Sequence, residues 1–227
     1  MKNLKTILAT LLMLLSISVV NGQQTPFIGT VVYDITAVGN IPDQLKTMMP
    51  TEMTLRFSGT KESMEMNFSI MDQKTIYDLT KKDATILIEL MGQKLMTKQN
   101  AAQLEEIRKM EGQSMGVKIT KDVAVFAGER CRKAVITKKL KNGSLITIDV
   151  YYAEKHDISR FNFANTFPEV KGLPLLFNMK NSGFNLNLRA RSVKREGIPA
   201  SEFVVSPDYK LMTKEGMQKI MGNMRHE

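Results

Sequence analysis

After the first two dozen residues, the chain alternates apolar and polar positions with a period of two. In "TVVYDITAV", Val31, Tyr33, Ile35 and Ala37 share one face. In "ESMEMNFSI", Met64, Met66, Phe68 and Ile70 alternate with Ser63, Glu65, Asn67 and Ser69. In "GSLITIDVYY", Ile146, Ile148, Val150 and Tyr152 share a face, and in "GFNLNLRARS" so do Phe184, Leu186, Leu188 and Ala190. Such alternation marks strands with one buried and one wetted face, the habit of antiparallel sheets. Short polar breaks ("SGTKE", "KKD", "GQK", "KNG", "NSG") separate the runs, as in a meander. Asn142-Gly143 predicts a type I′ turn, with positive φ at both central residues, joining strands near 132–140 and 144–153.

Helical spacing is rare. "NAAQLEEIRKMEG" has Asn100 as N-cap, Leu104, Ile107 and Met110 as an apolar stripe, and Gly112 as a stop. Near the C-terminus, Met217, Ile220, Met221 and Met224 fall at i, i+3, i+4, i+7 and predict an amphipathic helix. "PDQLKTMMPTE" predicts a short helical turn ended by Pro50, and "SRFNFANTFPEV" a loop or single turn. The expected fold is mainly β: one curved antiparallel sheet bent into an open half-barrel. Its single apolar face must be covered, and two or three helices are the expected cover.

The opening "MKNLKTILATLLMLLSISVVNGQQ" has basic Lys2 and Lys5, an apolar run from Ile7 to about Val20, and Gly22 at the −1 position. It predicts a cleaved signal peptide over 1–22 and a single exported domain over 23–227. The apolar run is shorter than the roughly 20 residues a bilayer-spanning helix needs, so no transmembrane span is expected in the mature chain. Periplasmic or secreted localisation follows. Removing Lys2 and Lys5 lowers the formal charge from +9 to +7, spread without a dense basic block. In an exported protein that distribution points away from nucleic acid and toward a solvated surface.

Candidate chemistry is sparse. His156-Asp157 lacks an accompanying nucleophile motif, and the histidine reads as a solvated loop residue. No metalloprotease, C-x-x-C, EF-hand or P-loop spacing occurs. Cys131 is the single cysteine, which excludes an intramolecular disulfide; it reads as a buried packing residue. Methionine is abundant, 17 in all. Met64, Met66, Met217, Met221, Met224 and His226 could form a Cu(I) thioether site, but the same positions suit apolar faces, which is the preferred reading. No metal, cofactor or catalytic residue is expected.

The order "FIGTVVYDI", "VAVFAGERCRKAVI", "TIDVYYAEKHDI", "VKGLPLLFNMK" and "GIPASEFVVSPDYKLM" resembles secreted domains of unknown function. These share an aG-x-x-C-x-k-A element and are related to the GLPGLI family. Gly172-Leu173-Pro174 keeps that family's G-L-P but departs at Leu175, where the family has glycine. Asp208, Tyr209, Lys210 and Met212 match a D-Y-K-x-M-like ending. The resemblance implies a fold like that of periplasmic lipoprotein carriers (LolA-like), with no catalytic residues to carry over. Gly128, Cys131, Gly172 and Pro174 are its matching positions, all read as structural.

Two functions are consistent with this. The first is an exported non-enzymatic protein that carries or senses an apolar ligand, such as a lipid, an acyl chain or a hydrophobic peptide. Its expected ligand face holds Met64, Met66, Phe68, Ile146, Ile148, Val150, Leu186, Leu188, Met217 and Met221. The second is an envelope protein-interaction module, offering sheet edges to a partner.

Overall fold

The computed structural model describes residues 25–110, 112–162, 166–181 and 184–212. The first half is a run of antiparallel strands: β1 (Thr25–Pro26), β2 (Gly29–Val38), β3 (Glu52–Phe57), β4 (Lys61–Asn67), β5 (Met71–Asp78), β6 (Asp83–Leu90) and β7 (Gln93–Gln99). A short helix α1 (Asp43–Met48) interrupts it after β2. Helix α2 (Ala101–Met110) follows, and then β8 (Gln113–Phe126), β9 (Glu129–Lys139), β10 (Leu145–Ala153), β11 (His156–Asp157), β12 (Leu173–Asn181), β13 (Phe184–Arg195) and β14 (Lys210–Leu211). Two 3-10 turns lie at Ser159–Phe161 and Ala200–Phe203.

Twelve strands form one open, curved sheet in the order β14-β7-β6-β5-β4-β3-β2-β13-β12-β10-β9-β8. Every ladder is antiparallel except the two-residue parallel pairing of β14 with β7. β1 and β11 form a separate parallel pair. The chain therefore lays down two meanders, β2 to β7 and β8 to β13, which meet where β13 pairs with β2.

The alternation becomes packing through register. One row runs Ile35, Leu188, Phe177, Val150, Ala134 across five neighbouring strands. A second runs Tyr33, Met53, Met66. These rows build the inner face, and among the described residues most of it is sealed by the segment after β11. Ile158, Phe161, Phe167 and Val170 of that segment are all buried against it. The aromatic rings interlock edge to face: Phe57 with Phe161 at 5.3 Å and Phe167 with Phe177 at 5.2 Å between centroids. The described residues of "SRFNFANTFPEV", 159–162 and 166–170, are thus the plug of the sheet.

The outer face is not wholly wet, contrary to the single apolar face expected. Ile76 of β5 and Leu87 of β6 are buried there under Phe203. Ions fasten the same segment: Glu202 meets Lys74 at 2.5 Å and Arg56 at 3.3 Å, and Glu65 meets Arg56 at 2.6 Å and Lys74 at 2.9 Å. Burial alone would raise the Glu65 carboxyl, but hydrogen bonds from Lys74 and Arg56 outweigh it and hold the group below its ordinary value.

Helix α2 starts as expected. Asn100 Oδ1 accepts from the Gln103 N–H at 3.0 Å, and Gln103 Oε1 accepts from the Asn100 N–H at 2.9 Å, a reciprocal capping box. The Asn142-Gly143 turn differs from expectation. Only Gly143 has positive φ (+83°), and the loop spans five residues, with Gly143 N–H donating to Leu140 O. Asn142 Oδ1 accepts from Ser144 N–H, which holds Asn142 out of the left-handed region. The two-residue turns with both residues at positive φ are Met91-Gly92 and Ala127-Gly128.

Gly172 immediately precedes β12 at φ +152°, pressed onto β10; a Cβ there would lie 2.7 Å from Ala153 O and 2.8 Å from the Tyr152 ring. Gly172→Ala is expected to cost about 2 kcal/mol or more, read as a lower urea midpoint at unchanged slope. An unchanged midpoint would show that this junction gives way freely.

Candidate functional site

One part of the inner face is not filled by the described residues. Between β2–β5, the buried plug and helix α2 lies a cavity of about 210 Å³. Its floor is sheet: Tyr33, Met53, Leu55, Glu62, Met64 and Tyr77. Phe161, Phe167 and Phe177 close one side, and Leu104, Ile107 and Arg108 of α2 roof it. The helix buries none of its own residues, so its apolar stripe rests over the cavity without being locked into the core.

Glu62 is the anomaly of this cavity. It pairs with Phe57 on β3 and Tyr77 on β5, so all three point the same way, into the cavity. It is only 7% exposed, and among the described residues it has no hydrogen-bond or ion-pair partner. Burial pushes its carboxyl from 4.5 up to about 8, so the group is protonated at neutral pH. Tyr33 beside it donates its hydroxyl to Pro174 O at 2.7 Å; burial and the Glu62 charge push that phenol above its ordinary range.

Of the expected ligand-face residues, Met64 lines the cavity. Met66, Ile148 and Leu186 pack, half-buried, against the main core. Val150 and Leu188 are fully enclosed within it. Ile146 is half-buried on β10, and Phe68 lies in the β4–β5 turn, beyond the end of β4 at Asn67. Met217 and Met221 lie outside the described residues, as do the expected C-terminal helix and the expected signal peptide. Sequence reasoning missed Glu62, Tyr77 and Arg108. For Glu62 the signal was present: it precedes Met64 and Met66 at the same period of two.

His156 is a correction. It is 2% exposed and not a solvated loop residue. Pairing of β11 with β1 draws it inward, and its ring meets Phe27 edge to face at 4.9 Å. Arg195 Nη2 lies 3.1 Å from Nδ1; a guanidinium only donates, so Nδ1 accepts and Nε2 carries the proton. Nε2 faces Glu129 Oε1 at 3.3 Å. Burial lowers the imidazole pKa despite the Glu129 charge, so His156 is neutral and structural. Nearby, Cys131 is fully buried, with Sγ 3.4 Å from Glu129 O, and burial pushes its thiol up to about 11. The expected packing role for Cys131 holds. Among the described residues, no group of three His, Cys, Asp or Glu side chains is placed to hold a metal ion.

No protein-family model and no curated protein matches the chain. The resemblance to the GLPGLI family is therefore not confirmed. Among solved structures, LprF from Mycobacterium bovis is similar over 76% of this chain and 87% of that one, at 11% identity and a TM-score of 0.33. MucB is similar over 82% of this chain and 59% of that one, at 11% identity and a TM-score of 0.34. At such scores no residue role transfers from either.

Two measurements check the site's electrostatics. Glu62 keeps its proton to about pH 8 when folded but loses it near 4.5 when unfolded, so stability falls as pH rises between those values. Glu62→Gln is expected to melt well above wild type at pH 8.5, by an amount on the order of a few kcal/mol, and to match it near pH 4. An equal difference at both pH values would contradict the buried neutral acid. For Cys131, thiol reagents at pH 7.5 should react only as fast as the protein unfolds; rapid labelling of native protein would place the thiol at the surface.

Proposed function

We propose that the mature chain is an exported, non-enzymatic binding protein of the cell envelope that carries or senses an apolar ligand. The observation that carries this reading is the apolar cavity roofed by a helix with no buried residue of its own. Apolar cavities of roughly 150 Å³ stay dry and take up small hydrophobic molecules. At about 210 Å³ the cavity takes a ring or a short alkyl chain as it stands. Outward movement of α2 would admit a longer chain, because few packed atoms resist it. Leu104, Ile107 and exposed Met110 then form the side of the helix that meets the ligand.

Export rests on the predicted signal peptide. No helix among the described residues is long and apolar enough to cross a membrane. Among the described residues, no constellation of nucleophile, base and orienting group stands at the cavity, and the reading is of binding and not of catalysis.

A second reading, an envelope interaction module, draws on β8. Among the described residues this strand is an edge of the sheet, and Met115, Val117, Ile119, Val123 and Val125 along it are exposed. Lys118, Lys121 and two register shifts blunt that edge against pairing, so the cavity is the stronger lead.

The test is Leu104→Asp in the roof of the cavity. It should weaken binding of a neutral fluorescent naphthylamine probe by roughly tenfold or more, since a charge is forced against the ligand. The melting temperature should change little, because Leu104 is only half-buried. Native mass spectrometry of protein from its own host should show an adduct that Leu104→Asp lacks. Unaltered probe binding, or a bare mass in both proteins, would move the function away from the cavity.

A further inference from the structure

The cavity has a composition that an ordinary lipid site does not require. Six of its lining residues are aromatic: Tyr33, Phe57, Tyr77, Phe161, Phe167 and Phe177. Set among them is one carboxyl group, Glu62, 93% buried and without a partner among the described residues. Aromatic faces carry negative potential and attract organic cations, quaternary ammonium above all. A buried carboxyl group adds the one full negative charge such a cage can offer.

We propose that the cavity recognises an organic ammonium ion carried on an apolar body, with Glu62 as its counter-ion and the aromatic rings as its cage. This rests on the reading of the cavity as a ligand site and specifies the ligand's chemistry. Other head groups fit less well. An alkyl carboxylate pays to leave water for one hydrogen bond from neutral Glu62, and meets a like charge once Glu62 ionises near pH 8. An alcohol gains one neutral hydrogen bond but neither the ion pair with Glu62 nor the attraction of a cation to the aromatic faces.

The charged and titratable surroundings are few. β2 contributes Tyr33, β5 contributes Tyr77, and α2 contributes Arg108; β3 and the plug contribute none that line the cavity. Arg108 is 34% exposed and paired with Glu105 at 3.3 Å, so its charge sits toward solvent and is partly neutralised. Lys138 lies behind the wall, donating to Thr166 O at 3.2 Å and standing 5.7 Å from the Phe167 ring centre. That pair shows that this aromatic wall already holds one buried cation.

Binding is then linked to a proton. The free protein holds Glu62 protonated to about pH 8. An ammonium ion binds the carboxylate, so near neutral pH it must displace close to one proton, and affinity must rise with pH toward 8 and level off above it.

Octyltrimethylammonium is a suitable probe, because its charge does not titrate. It is compared with 1-octanol and octanoate by isothermal titration calorimetry, in buffers of different ionisation heat. The expected result is at least roughly tenfold tighter binding of the ammonium than of the alcohol at pH 8, from the ion pair and the cation-π contacts together. Release of close to one proton at pH 7 and affinity rising up to about tenfold per unit between pH 6 and 8 should accompany it. Glu62→Gln should abolish the ammonium preference and the proton release while still binding octanol. Glu62→Leu provides a second variant, with the same expected loss. If ammonium and alcohol bind alike, or the Glu62→Gln protein keeps the preference, the recognition of ammonium is overturned while the apolar site stands. If none of the three ligands binds, the cavity is not a ligand site, and both readings fall together.

Discussion

The connection between β7 and β8 is the constraint on which the rest of this structure depends. These strands lie at opposite ends of the sheet, ten strand intervals apart. In a flat sheet that distance is about 48 Å. The chain between Gln99 and Gln113, with ten residues wound into α2, reaches about 30 Å at most. The sheet must therefore curl until its two ends approach. The helix must cross the inside of the curl, and the curl creates the concave face that α2 then roofs. The cavity is thus a consequence of topology: a short helical bridge drawn across the mouth of a bent sheet.

Filling that concavity is the next physical problem, and the two meanders solve it differently. Over β10, β12 and β13 much of the inner face is packed, with Phe167 and Val170 of the plug in one buried cluster with Phe177 and Leu188. Over β2 to β5 the plug reaches only part of the way, and α2 covers the remainder without burying a residue. On the outer side of β4–β6, Phe203 and the Arg56, Glu65, Lys74 and Glu202 network hold the strands from behind. Rigid strands behind a loosely roofed cavity suit a binding site whose floor stays fixed while its cover moves. Glu62 fits the same pattern. A neutral carboxyl buried without a partner lowers stability, and a local sacrifice of this kind is expected where a ligand supplies the missing partner.

Much of the fold was legible because alternation and register are the same information seen twice. Val31, Tyr33 and Ile35 share a face in the sequence, and their burial confirms the phase. The N-cap of α2 was equally readable, since Asn100 acts within one turn; the reciprocal bond from Gln103 was found only in the structure. The misreadings have physical causes. Asn142-Gly143 was expected as a type I′ turn, but the Asn142 side chain satisfies Ser144 N–H locally and selects another conformation. His156 looked solvated because it follows polar Glu154 and Lys155. Its burial depends on β1 and on Arg195, which arrive from distant parts of the chain.

The sequence by itself determined the phase of most strands, and that a mainly β sheet would need a cover. Those are local properties, set by a period of two and by residues that punctuate it. Only the tertiary structure decided what the cover is and where it fails to close. That depends on which strands become neighbours, on the sheet's curvature, and on a plug joined to the sheet through pairs such as Phe57 and Phe161, about a hundred residues apart. Glu62 shows the division most plainly: its phase with Met64 and Met66 is written in the chain, but its isolation inside an aromatic cavity arises only when β2, β5, α2 and the plug come together.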